Sequence, residues 1–250
     1  MGFPKKRPAR PALYARGGRV LFYTPAAAVV SIDVANFPDT KFREYVKANW
    51  DSDDNGILSD TEIAAVKSVR VSSKGIESLK GIEYFTALKE LYCWSNRLTE
   101  LDVSKNTKLE GLHCEKNRLT FLDLRGLGDL VSTDVDVGGQ TRDGLKVRKI
   151  GSEYAVDLGV FLPSDRWGNV SRLAGKNGGT DLVARYDSAS GKASFTAKPE
   201  KVTYQYDTGN GDCPMEVTLT TELVSPDVSV PPAPPSGPDV PPTPPVTPHG

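Results

Sequence analysis

The chain has 250 residues, with 31 Lys and Arg against 32 Asp and Glu and a formal net charge of −1, so it carries no broad basic footprint for nucleic acid. Three cysteines and two histidines are too few for a disulfide framework, a C-x-x-C zinc site or extensive imidazole chemistry. No stretch approaches the roughly 20 apolar residues of a membrane-spanning helix, and the length suits two compact units with tails.

Residues 1–30 form a basic leader. Lys5, Lys6, Arg7 and Arg10 precede a short apolar run, Val20 to Tyr23, and then Pro25-Ala26-Ala27-Ala28. That order has the shape of a signal peptide with Ala26-x-Ala28 at the cleavage position; a disordered basic leader is the alternative.

Residues 31–68 read as a helical unit around an acidic loop. Pro38-Asp39 can open a helix with Phe42, Tyr45, Val46 and Trp50 on one face, and Ser59-x-x-Glu62 is a capping box for a second helix carrying Ile63 and Val66. Between them lies Asp51-Ser52-Asp53-Asp54-Asn55-Gly56-Ile57-Leu58-Ser59-Asp60-Thr61-Glu62. A hard cation needs about six or seven oxygens, and a loop of this length supplies them from positions 1, 3, 5, 7, 9 and 12. Here those positions are Asp51, Asp53, Asn55, the Ile57 carbonyl, Ser59 and Glu62, with Gly56 at the sharp turn. The expectation is an EF-hand-like cap, residues 31–68, holding structural calcium, because a lone loop has no partner against which to act as a sensor.

Residues 69–140 contain a repeat. Leu88-x-x-Leu91-x-Cys93-x-x-Asn96-Arg97-Leu98-Thr99-x-Leu101-Asp102 returns 21 residues later as Leu109-x-x-Leu112-x-Cys114-x-x-Asn117-Arg118-Leu119-Thr120-x-Leu122-Asp123. Val69, Val71, Ile76 and Leu79 form a weaker upstream copy, and Leu130 continues the series downstream. The pattern L-x-x-L-x-L-x-x-N-x-L is that of a leucine-rich-repeat solenoid, in which each coil contributes one short strand and hides its apolar face against the next. Asn96 and Asn117 should turn inward to satisfy backbone groups at the bend, and Cys93 and Cys114 should be small buried thiols rather than a bridged pair. The outward positions are Arg70 and Ser72, Tyr92 and Trp94, His113 and Glu115.

Beyond residue 144 the period shortens to two. β-rich runs at Leu145–Ile150, Tyr154–Leu162, Asp181–Tyr186, Ala193–Ala197, Lys201–Tyr206 and Met215–Val224 are separated by Gly, Asn, Asp and Pro clusters, which reads as a small Ig-like β-sandwich over residues 145–225. Residues 226–250 are a Pro-rich linker favouring extended polyproline conformation.

From Ser31 to Leu130 the chain resembles bacterial surface leucine-rich-repeat proteins of the internalin-like type. The residues that carry the likeness are Ile32-Asp33-Val34-Ala35-Asn36-Phe37-Pro38-Asp39, the acidic loop, Ser78 to Leu88, and Leu101-Asp102-Val103-Ser104-Lys105-Asn106-Thr107. The resemblance implies a secreted or cell-surface protein acting in adhesion or protein recognition. Combined with the repeat, it gives an α+β fold class: a short leucine-rich-repeat solenoid with an N-terminal helical EF-hand-like cap, a β-sandwich and a disordered Pro-rich tail. The expected partner is an extracellular protein or glycan, met by Arg70, Tyr92, Trp94, His113 and Glu115 on a monomer. A spacer presenting another module, with no ligand of its own, is the alternative. No nucleophile elbow, P-loop, H-E-x-x-H or Cys-His arrangement is present, so no enzymatic activity is expected.

Overall fold

In the computed structural model, the described residues are 29–211 and 213–224, together with the backbone of two short paired strands, β1 (Tyr14–Arg16) and β2 (Arg19–Leu21). The cleavage-site expectation at Ala26-x-Ala28 and the Pro-rich linker at 226–250 lie outside them.

The front of the chain is a small unit tied by strand pairing. β3 (Val30–Ser31) runs antiparallel to β4 (Ile57–Leu58). Helix α1 (Thr40–Trp50) starts where the Asp39 carboxylate accepts from the Phe42 N–H, and it buries Phe42 and Val46. Helix α2 (Asp60–Ala65) starts at the Ser59/Glu62 capping box, with both reciprocal hydrogen bonds formed.

Four short strands follow: β5 (Ser68–Arg70), β6 (Glu90–Tyr92), β7 (Gly111–His113) and β8 (Val135–Asp136), which pair in parallel and in sequence order. Val69, Leu91 and Leu112 are in register and fully buried. Three residues beyond each strand lies a left-handed residue, Ser73, Ser95, Lys116 or Gly139 with φ of 56°, 53°, 57° and 61°, which turns the chain away from the sheet and frees carbonyls. After Ser95, Lys116 and Gly139 the very next residue supplies the partner. Asn96 donates to the carbonyls of Val71 and Cys93, Asn117 to those of Cys93 and Cys114, and Gln140 to those of Cys114 and Val137. Their amide oxygens accept from Ile76, Leu98 and Leu119 N–H respectively. Three buried amides therefore stitch neighbouring strand-and-turn units where water cannot reach.

The remaining strands are β9 (Gln140–Ile150), β10 (Glu153–Asp157), β11 (Val170–Asn177), β12 (Thr180–Val183), β13 (Arg185–Asp187), β14 (Lys192–Phe195), β15 (Lys201–Tyr206) and β16 (Met215–Val224). They form one sheet in the order β12-β11-β15-β16-β9-β10-β14-β13, antiparallel except for the β16–β9 pair. Alternation drives its inner face: Val202, Tyr204 and Tyr206 from β15 and Met215, Val217 and Leu219 from β16 are buried. The two edge strands, β12 and β13, are consecutive in the chain with Ala184 alone between them, so the sheet curls until its edges almost meet.

This architecture corrects the expected fold class. The chain is mostly strand, its largest sheet among the described residues is the near-closed eight-stranded mixed one, and its α-helices are only 11 and 6 residues long. It is not a leucine-rich-repeat solenoid with a helical cap followed by a sandwich. A 21-residue period reports local strand-and-turn units, but it says nothing about how a distant set of strands pairs. The sandwich expectation failed for the same reason: the parallel β16–β9 pairing joins residues about 77 positions apart, such as Val217 and Gln140, so the strands close on one another instead of dividing into two sheets. Strand β11 was also hidden, since Gly175-Lys176-Asn177 looks like a turn. Only Gly178 and Gly179 turn, with φ of 55° and 90°, while Gly175 lies in the strand because a Cβ there would sit 2.8 Å from Phe195.

The two sheets are joined by buried polar contacts. The Tyr204 hydroxyl donates to the Thr120 carbonyl at 2.7 Å, the Thr120 hydroxyl donates to the Phe161 carbonyl at 3.0 Å, and the Leu124 N–H donates to the Thr208 carbonyl at 2.8 Å. Burial pushes the Tyr204 hydroxyl well above its ordinary titration range, so it remains a donor.

Candidate functional site

Two surfaces hold the residues singled out from sequence. The first is the outward face of the parallel strands. Because Arg70, Tyr92 and His113 occupy the same register position, their side chains line up across β5, β6 and β7. The Arg70 guanidinium carbon lies 4.1 Å from the Tyr92 ring centroid, and the His113 ring stacks on the other face at 5.0 Å with the planes 15° apart. Both π-faces of Tyr92 are thereby covered, which leaves its edge to meet anything outside the chain. Carboxylates fix the two ends of the column: Glu90 pairs with Arg70 at 2.8 Å, and Asp134 pairs with His113 Nε2 at 2.9 Å.

Trp94 and Glu115 occupy the next outward position. Trp94 is 38% exposed, an unusual state for an indole, whereas Glu115 is half-buried with its Oε2 enclosed and unpartnered. All five expected partner-facing residues therefore come together on one surface, with Ser72 at the level of Trp94 and its hydroxyl also enclosed. Glu90 and Asp134 belong to the same surface and were missed by sequence reasoning. Glu90 was legible, being two residues before Tyr92 on a strand; Asp134 was not, because it reaches His113 from a 3-10 turn at Ser132–Asp134.

The second surface is the acidic loop. Asp51, Asp53 and Glu62 each offer an oxygen, all within 4.8 Å of one another. Asp51 is the most buried of the three, and its two oxygens accept from the N–H groups of Asn55 and Gly56 at 3.0 Å each, which folds the loop back on itself. Asp54 and Gly56 take positive φ of 53° and 77° to make that bend. Glu62 accepts from the Ser52 N–H and hydroxyl on Oε1, and from the Ser59 N–H and hydroxyl on Oε2. The Asn55 oxygen accepts from Ile57 N–H, and its amide nitrogen donates to Asp53.

The donor set is that of a hard, oxygen-preferring cation, with three carboxylates converging at one point. An exposed acidic cluster is common without any metal, however, and here the hydroxyls of Ser52 and Ser59 occupy the oxygens of Glu62. Ser59 is committed to the capping box, and Asn55 to the loop backbone. Loading a cation would require Glu62 and Asn55 to exchange those bonds for metal contacts.

The same bonds set the acid response of the loop. The Ser52 hydroxyl first, then the Ser59 N–H, the Ser52 N–H and the Ser59 hydroxyl, hold the Glu62 carboxyl down from its ordinary 4.5 to about 2. A lowered folded value means that this contribution is present in full above 4.5 and is lost as pH falls toward 2. Amide protection at Ser52 and Ser59, taken against the intrinsic exchange rate at each pH, should fall over that window, and Glu62→Gln should remove the fall. Unchanged protection in the unsubstituted protein down to pH 2 would contradict the bonding scheme.

Cys93 and Cys114, on adjacent coils, are free and fully buried, and burial pushes both thiols far up, so they pack as apolar groups. Among the described residues no helix is long and apolar enough to cross a membrane.

No known family description matches the chain. Over 71 residues it is 34% identical to Internalin J of Listeria monocytogenes serotype 4b (strain F2365), a match covering 28% of this chain and 8% of that protein. Among solved structures, an internalin (inlF) from Listeria monocytogenes str. 4b F2365 shares 25% identity, with a TM-score of 0.37 over 43% of this chain and 32% of its own. The functional domain of InlJ from Listeria monocytogenes gives 19% identity and a TM-score of 0.35, over 62% of this chain and 41% of its own. Scores this low do not establish a shared overall fold. The sequence match nevertheless makes the chain similar to a Listeria internalin over that stretch of 71 residues, a small part of the relative's length.

Proposed function

We propose that the chain is a recognition or adhesion module of a secreted or surface-exposed bacterial protein. In this reading it offers the outward face of its parallel strands to an extracellular protein or glycan, and it works as a monomer without chemistry of its own. The observation that carries it is the Arg70–Tyr92–His113 column with exposed Trp94 beside it. Aromatic and Arg side chains anchor interfaces because each removes a large area from water, and a column already held by Glu90 and Asp134 loses little further freedom on binding. The similarity to an internalin supports the same reading.

Calcium in this reading is structural, held by Asp51, Asp53 and Glu62 with Asn55, Ser59 and the Ile57 carbonyl completing the shell. Occupancy would need calcium at about 0.1 to 1 mM, the range of weak extracellular sites.

A second reading, a spacer without a ligand, is favoured by one observation: Arg70 and His113 already have carboxylate partners within the chain. Capture from envelope and host-surface extracts separates the two. Trp94→Ala should reduce capture at least about tenfold, the effect of one interface hot spot, while leaving the far-UV spectrum unchanged. Capture equal to that of the unsubstituted protein would reject this face in favour of the spacer. Calcium titration followed by amide shifts in residues 51–62 tests the metal; no shift at 10 mM, about ten times the upper end of that range, would reject it.

A further inference from the structure

A cavity of about 630 Å³ opens between the turns of the repeat region and the 3-10 turn Ser164–Asn169. None of its lining residues belongs to the parallel strands, so it is separate from the face carrying Tyr92 and Trp94. Its floor is apolar: Leu79, Ile82, Leu101 and Phe121 come from three successive coils. One end is closed by Arg166, which reaches from the 3-10 turn Ser164–Asn169 to pair with Asp123 at 2.9 Å. A volume of this size at a junction between two units, with an apolar floor and a few charged groups, has the character of a binding site.

The charges indicate what it would take. Asp123 pairs with Arg125 and Arg166, Arg166 also reaches Asp165 at 3.3 Å, and the Arg125 hydrogen bonds hold the Asp123 carboxyl well below the usual range, so two carboxylates balance two guanidiniums at that end. The other charged lining residues are three carboxylates, Glu83, Glu100 and Asp102, against one ammonium, Lys80. Among the described residues, Glu83 accepts only from the Gly81 N–H, Asp102 only from the Ser104 N–H, and Glu100 makes neither an ion pair nor a hydrogen bond. An excess of unneutralised negative charge above an apolar floor complements a side chain with an aliphatic stem and a cationic head.

We propose that this cavity binds a basic peptide segment of a partner protein. A Lys or Arg head meets Glu100 and its neighbours Glu83 and Asp102, and an adjacent apolar side chain lies on Leu101 and Phe121. The site was invisible in the sequence because Arg166 and the repeat turns come together only through the docking of the two sheets.

The test is titration of the full chain with a fluorescent, end-blocked hexapeptide of alternating Lys and Leu, read by anisotropy. Saturable binding is expected, weakened about fivefold by Glu100→Gln, the worth of a partly exposed charge pair, and similarly by Glu83→Gln. Asp181→Asn, on the remote strand β12, should leave binding unchanged, as should Trp94→Ala, which tests the other face. Absence of saturable binding, equal binding of an alternating Glu and Leu peptide, insensitivity to Glu100→Gln, or full competition by butylamine alone would each overturn the proposal. The last outcome would assign the cavity to a free amine. Because the Trp94 variant is read in parallel, failure here and failure of the strand-face reading remain distinguishable.

Discussion

Replacing Asn117 by Leu is expected to destabilise the protein by about 2 to 4 kcal/mol, despite the apolar surroundings of the side chain. The Asn117 amide donates to Cys93 and Cys114 carbonyls at 3.0 Å each and accepts from the Leu98 N–H at 3.0 Å, so it serves backbone groups of two successive turns. Leucine matches its bulk but leaves the Leu98 N–H buried without a partner, at about 1 to 3 kcal/mol, and takes one of two donors from each carbonyl, since Cys93 still accepts from Asn96 and Cys114 from Gln140, at about 0.5 to 1.5 kcal/mol per lost bond. Urea unfolding followed by tryptophan emission would measure it. A loss below about 1 kcal/mol would mean that water or a backbone shift replaces the amide, and that the ladder is not a stabilising element.

The second large effect is expected at Phe85. This fully buried ring lies against Trp50 at 4.9 Å between centroids and against Phe37 at 6.4 Å, and so connects helix α1 with the repeat region. Phe85→Ala removes the ring from a site enclosed on all sides, and loss of transfer energy together with the cavity left behind should amount to about 3 to 5 kcal/mol. Phe85→Leu, which retains much of the volume, should cost distinctly less. Thermal unfolding of both variants checks the order. Equal, small losses would mean that the front unit collapses onto the vacated space or is only loosely attached.

Much of the local structure was legible from residues. Asn96 and Asn117 were recognisable as inward amides because they recur at a fixed interval where burial otherwise selects against polarity. The Ser59-x-x-Glu62 spacing announced the start of α2, and the Asp39 cap announced that of α1. Strict alternation in Lys201–Tyr206 and Met215–Val224 gave β15 and β16 with correct bounds. The third rung of the amide ladder was missed because it is Gln140, two residues out of phase with the 21-residue step and preceded by Gly138-Gly139, which read as the end of the pattern. Its longer side chain compensates for the slipped phase and reaches the same carbonyls. Asn106, whose amide donates to the carbonyls of Ile82 and Phe85, carried no periodic signal at all.

What the sequence determined by itself, then, is every feature encoded within one turn or one period: the helix caps, the bend of the acidic loop, the inward leucines and amides, and the outward set Arg70, Tyr92, Trp94, His113 and Glu115. Tertiary structure decided the rest. It closed β9 to β16 into one curled sheet, placed Asp134 on His113, covered both faces of Tyr92, and brought Arg166 over the turns to form the cavity. Each of those depends on contacts between residues far apart in the chain, whose pairing is chosen by total burial and hydrogen-bond satisfaction and leaves no periodic trace in either partner.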